Sequence, residues 1–171
     1  MSSLSSPVAK VNQLLKELAE RCGLPELALD ENQVCGIQAP GTEEDIVLTL
    51  FMPEPKTHLM VLAEVIELSR DNPGDLQVLY SLLQMSFPGI TNRGCVFSID
   101  ERSNQLVLSY QESLEALSSE LLESLIANLL QLVRYFRHKA RELQKSQQRN
   151  AAPASRPELN PLSGRLGRNP F

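Results

Sequence analysis

Hydrophobic positions change their spacing several times along this chain, and each change marks an expected element. Val8, Val11, Leu15, Leu18 and Cys22 recur at helical spacing, with Leu14 widening the stripe and Lys10, Lys16, Glu17 and Glu20 on the other side. Ser6-Pro7 favours a helix start and Gly23 a helix stop. Residues 33–37, Gln-Val-Cys-Gly-Ile, lean towards a strand, and the polar turn from Ala39 to Asp45 returns the chain into a second apolar run, Ile46 to Met52. Pro53 to Lys56 break that run. A third follows, in which His58, Met60, Leu62, Glu64 and Ile66 share one face and Leu59, Val61, Ala63 and Val65 the other.

The period then returns to helical. Asp71-Asn-Pro-Gly-Asp75 resets the chain, and Leu76, Leu79, Tyr80, Leu83 and Phe87 fall on one stripe before Pro88-Gly89 ends it. Next, Cys95, Phe97 and Ile99 alternate with Val96 and Ser98, and beyond the polar loop 100–104, Leu106, Leu108 and Tyr110 alternate with Val107 and Ser109, the pattern of a β-hairpin. From Ser118 or Ser119, Leu122, Leu125, Leu129, Leu132, Phe136, Ala140 and Leu143 form a wide helical stripe, acidic at its start and basic at its end, as the helix dipole favours. After Gln144 the sequence becomes rich in Pro, Asn, Ser and Arg and offers little to bury. The expected organisation is a folded domain over residues 1–143 and a basic, disordered tail over 144–171.

These elements predict an α+β fold, a twisted antiparallel β-sheet with three helices in the order α-β-β-β-α-β-β-α. A sheet covered by helices on one side normally keeps a polar opposite face. Here the second and third runs are apolar on both faces, and that surplus calls for a dimer interface, a client, or both.

Composition narrows the function. A chain of 171 residues suits one domain with some extra sequence. Residues 1–143 hold 11 Lys and Arg against 20 Asp and Glu, a net of −9, whereas residues 144–171 hold 5 against 1, a net of +4. An acidic body repels phosphate backbones, so no nucleic-acid partner is expected for the folded part. No basic and long apolar start suggests an export signal, and the longest apolar run, Ile46 to Met52, falls far short of the ~20 residues that span a bilayer, so a cytoplasmic location without membrane insertion is expected. Cys22, Cys35 and Cys95 lie far apart without a C-x-x-C pair, which favours buried free thiols over a disulfide framework or a zinc cage.

Candidate chemistry is sparse. Nucleophile elbows, phosphate-cradling loops and metal-ligand pairs are not found. His58 and His138 sit on different elements and cannot complete a metal shell; Glu64 and Glu67 suit solvent-facing positions better than an acid–base pair; Arg134 to Arg141 read as a solvated helix end. No catalytic residue, metal or cofactor is expected.

The stretches Val11-Asn-Gln-Leu-Leu-Lys-Glu-Leu-Ala, Leu79-Tyr-Ser-Leu-Leu-Gln-Met, Gly94-Cys-Val-Phe-Ser-Ile-Asp, Leu106-Val-Leu-Ser-Tyr and Leu122 to Ala140, in this element order, resemble the class I type III secretion chaperones, the Tir chaperone family. The resemblance covers about residues 8–143. It implies a bacterial cytoplasmic homodimer that binds the N-terminal chaperone-binding segment of a secreted effector, keeps it extended and aids its delivery to the secretion ATPase, without hydrolysing ATP itself. A dedicated and a broad-range chaperone both fit. Client grooves are expected along Val11, Leu15, Leu18, Val34, Ile37, Ile46, Leu48 and Leu50. The dimer interface is expected at Leu76, Leu79, Tyr80, Leu83, Phe87, Phe97, Leu106 and Leu108. The alternative is a dimeric interaction scaffold unrelated to secretion, whose basic tail contacts nucleic acid or a membrane surface.

Overall fold

The computed structural model describes residues 6–39, 45–69, 71–86 and 94–151. The elements are α1 (Pro7–Cys22), β1 (Val34–Ala39), β2 (Ile46–Phe51), β3 (His58–Glu67), α2 (Pro73–Ser86), β4 (Val96–Asp100), β5 (Gln105–Ser113) and α3 (Ser119–Ala151), which is the predicted order.

Local chemistry sets the helix ends. The Ser6 hydroxyl accepts the Ala9 amide at 3.2 Å, Pro7 occupies the first turn, and Gly23 adopts φ 64°, a conformation that lets the Leu24 amide close on the Ala19 carbonyl at 2.9 Å. At the start of α3 the Ser118 hydroxyl accepts the Leu121 amide at 3.2 Å. The start of α2 is held differently. The Asp75 carboxylate, 7% exposed, accepts the Ser69 amide at 2.9 Å and the Gln144 side-chain amide at 3.2 Å, so one buried acid ties the end of β3 and the start of α2 to α3.

All strand pairs are antiparallel, and the sheet order is β1-β2-β3-β5-β4. Strands β3 and β5 pair at the centre although α2 and β4 separate them in sequence. Register places Ile37, Leu48, Ala63, Leu108 and Phe97 in one cross-strand row, and Cys35, Leu50, Val61 and Tyr110 in the next. This face packs against the helices: Val11, Leu15 and Leu18 from α1, Val78 and Leu82 from α2, and Leu122, Leu129, Val133 and Phe136 from α3 join its residues in one core. The register of β3 against β5 shifts between Glu64 and Ile66, and there Arg137 reaches from α3 to the sheet. Its guanidinium donates twice to the Glu64 carbonyl, at 3.0 and 3.1 Å, and once to the Asp45 carbonyl at 3.3 Å, satisfying backbone acceptors where the ladder is interrupted.

One boundary differs from expectation. The predicted domain ended at Leu143, but α3 continues to Ala151. Gln144 bonds Asp75 and the Gln147 side chain lies beside Gly74, so the extension has a partner in α2 that the composition of its own residues does not reveal. The remainder of the predicted tail, 152–171, lies outside the described residues, as do most of the turn 39–45, Phe87 and Pro88-Gly89.

Candidate client and partner surfaces

The face of the sheet opposite the helices is partly apolar. Its rows run Val34, Phe51, Met60, Gln111, then Gly36, Thr49, Leu62, Ser109, Val96. Phe51, Met60 and Leu62 are half-buried, while Val47, beside them on β2, is 53% exposed and Val96 is 62% exposed. At one margin β1 pairs only with β2; the outer groups of Val34 are taken by Asp30, whose carboxylate accepts the Val34 amide at 2.8 Å and whose amide donates to the Val34 carbonyl at 2.9 Å, so among the described residues the edge open to another strand is the later part of β1.

A second apolar region involves α2 and β4. Val78 and Leu82 of α2 are fully buried, whereas Leu76, Tyr80 and Leu83 are 57%, 58% and 44% exposed. Ile99 of β4 is 47% exposed on the helix side of the sheet margin. Between them lies a cleft of about 200 Å³ lined by Leu68, Asp75, Leu76, Leu79, Ile99 and Glu101. A second cleft, of about 350 Å³, opens beside the start of α1, where Pro7, Lys10, Lys56, Thr57 and Leu114 line it and the Lys10 ammonium donates to the Leu114 carbonyl.

These positions correct much of the predicted client site. Val11, Leu15, Leu18, Ile37, Ile46, Leu48 and Leu50 are all core residues, at most 5% exposed, already covered by this chain's own elements. Only Val34, half-buried on the open face, remains at a surface. The strand residues of this set lie on the face that the chain's own helices cover, and nothing in a strand's period says which face that will be. The predicted partner surface divides likewise. Leu76, Tyr80 and Leu83 are exposed, Leu79 is half-buried, and Leu106 and Leu108 are core residues, 1% and 0% exposed. Phe97 is half-buried, its ring 4.8 Å from that of Phe136 in an edge-on arrangement. Val47, Val96 and Ile99 were missed as surface candidates, although the alternation around them carried the signal.

Among the described residues no group of three His, Cys, Asp or Glu side chains is placed to hold a metal ion. His58 Nδ1 lies 2.9 Å from the Thr57 hydroxyl on β3, and His138 Nε2 lies 3.3 Å from Glu142 on α3. Glu64 and Glu67 are exposed. Burial pushes the Cys95 thiol up to about 11 and raises Cys35 as well, which leaves both as unreactive core groups, whereas Cys22 is exposed. No described helix is long and apolar enough to cross a membrane.

The fold is shared with solved structures. The chain is similar to one from the HopA1-SchA chaperone-effector complex, with a TM-score of 0.62 and 21% identity, covering 80% of this chain and 99% of that one. It is similar to a chain of the ExsC-ExsE complex, with a TM-score of 0.60 and 27% identity over 77% and 93% of the two chains. It is also similar to a chain of the heterodimeric ExoU-SpcU complex from the type III secretion system of Pseudomonas aeruginosa, at 0.52 and 17% over 75% and 96%. No curated protein matches the chain by sequence. Nothing in these matches supports the alternative of a scaffold unrelated to secretion. Residues 13–137 match the model of the Tir chaperone protein (CesT) family, which is most of the chain, and the protein therefore belongs to that family of type III secretion chaperones, which are not enzymes.

Proposed function

We propose that this protein is a cytoplasmic homodimer that holds the N-terminal chaperone-binding segment of one or more secreted effectors extended, and presents it to the secretion ATPase. The observation that carries the reading is the sheet left half-covered: helices occupy one face, while Phe51, Met60, Leu62 and Val47 lie on the other beside the free edge of β1. An extended segment added to β1 would satisfy that edge with main-chain hydrogen bonds and place alternate side chains over the open face. The cleft beside Pro7 and Leu114 offers a further apolar anchor, with Lys10 and Lys56 to receive an acidic residue. The naming of two solved relatives as parts of chaperone-effector or two-protein secretion complexes supports a secreted protein as the client.

Pairing with a second copy is assigned to Leu76, Tyr80 and Leu83 of α2 with Ile99 of β4, an exposed apolar group that a dimer would remove from water. The test is calorimetric titration with peptides from the N-terminal 100 or so residues of co-encoded secreted proteins, a length set roughly by the span needed to wrap a domain of this size. Wild-type protein should bind one of them, and Val47→Asp should weaken binding at least about tenfold by setting an unpaired charge against an apolar client side chain. Unchanged affinity in Val47→Asp would remove the open face from the client site.

A further inference from the structure

Gln147, near the end of α3, lies beside Gly74 at the start of α2, next to Asp75 of the cleft lining, and α3 ends at Ala151. Twenty residues follow. At about 3.3 Å per residue they reach on the order of 65 Å when extended, ample to return past the last four residues of α3, which rise about 6 Å beyond Gln147. Their apolar positions, Leu159, Leu162, Leu166 and Phe171, stand among Arg156, Arg165 and Arg168, with Glu158 as the one acid. The cleft has the complementary character: Leu76, Leu79, Leu68 and Ile99 supply an apolar lining, and the exposed Glu101 supplies negative charge. The exposed tip of the hairpin, where the Asp100 carboxylate accepts the Arg102 amide and the Ser103 hydroxyl and is held below the usual carboxylate range by them, keeps a further negative charge nearby.

We propose that residues 152–171 fold back in cis onto the α2–β4 cleft, their leucines and Phe171 on its apolar lining and their arginines towards Asp100 and Glu101. The tether makes this docking intramolecular. A segment that binds the cleft with an affinity of only about 100 μM is bound in cis in roughly nine chains of ten when the effective concentration is about 1 mM. Because the cleft is continuous with the α2 surface assigned above to pairing, the docked segment also competes with a second copy. That consequence, unlike the docking, rests on the dimer assignment. Each chain is then competent about a tenth of the time, which weakens pairing by tenfold or more.

Two measurements on the full chain test this. In the first, Leu166 is replaced by the photocrosslinker p-benzoylphenylalanine and a one-to-one mixture of isotopically heavy and light chains is irradiated at a dilution where sedimentation shows monomer, since pairing would cover the cleft. Crosslinks are expected within single chains, onto residues 68–79 or 99–104; crosslinks elsewhere, crosslinks joining heavy to light chains, or none, would overturn the docking. In the second, the dimer dissociation constant of wild type is compared by sedimentation with that of Leu162→Ser, Leu166→Ser, Phe171→Ser, which keeps every charge and changes only residues of the 152–171 segment. The variant should pair at least about tenfold more tightly. Equal constants overturn the competition, and two chains that stay monomeric overturn the dimer assignment while the crosslinks still decide the docking.

Discussion

Phe136 is fully buried between Phe97 and Tyr135, both rings edge-on to it at 4.8 and 5.1 Å, and it joins α3 to the margin of the sheet. Phe136→Ala should therefore cost about 3–5 kcal/mol in chemical denaturation, the range for emptying a buried aromatic site. The three thiols should separate in a native-state titration with a thiol reagent: Cys22 labels promptly, while Cys35 and Cys95 label only as fast as the chain opens. Prompt labelling of all three would contradict the burial of the last two. Gly94, at φ 86°, sits where an added Cβ would lie 3.2 Å from the Tyr110 ring, so both backbone and space restrict that position to glycine.

At the scale of elements, α1 and α3 meet through polar contacts as well as apolar ones. The Ser119 hydroxyl donates to the Glu17 carboxylate and, with the Gln13 amide, holds it below its ordinary 4.5; Arg21 pairs with Glu120 and Glu123 at 3.2 and 2.8 Å. A carboxylate whose folded-state pKa is depressed adds stability at pH above its unfolded value and loses it as pH falls through the folded one. Ser119→Ala should accordingly destabilise the protein near neutrality, and the gap from wild type should narrow as pH falls below 4.5 in urea titrations. Helix α2 carries apolar residues on two sides, inward Val78 and Leu82 and outward Leu76, Tyr80 and Leu83. Tyr80→Arg leaves the inward side intact, so it should keep the thermal midpoint of the isolated chain while shifting the light-scattering mass from about 38 kDa, twice 19.0 kDa, towards 19.0 kDa. Leu15→Asp, by contrast, puts an unpaired charge in the core, and its effect should be loss of folding rather than selective loss of client binding.

For the molecule as a whole, element order, antiparallel sheet and family were legible in the sequence, because periodicity is local: apolar residues two apart define strand faces, and residues three and four apart define helix stripes. Both halves of the hairpin 96–113 and the stripe Leu122 to Leu143 follow from that rule. What lies above a given face is not local. Leu48 and Val47 are neighbours in one strand and equally apolar, yet the first, on the helix-covered face, is at 0% exposure and the second is at 53%. Tertiary packing alone decided that seven of the predicted client residues are core, that Leu106 and Leu108 are core too, and that Gln144 and Gln147 extend α3 along α2. The sequence by itself determined which residues could be buried together; the fold decided which of the eligible surfaces stayed open, since coverage depends on where distant helices cross the sheet and no spacing within a strand encodes that.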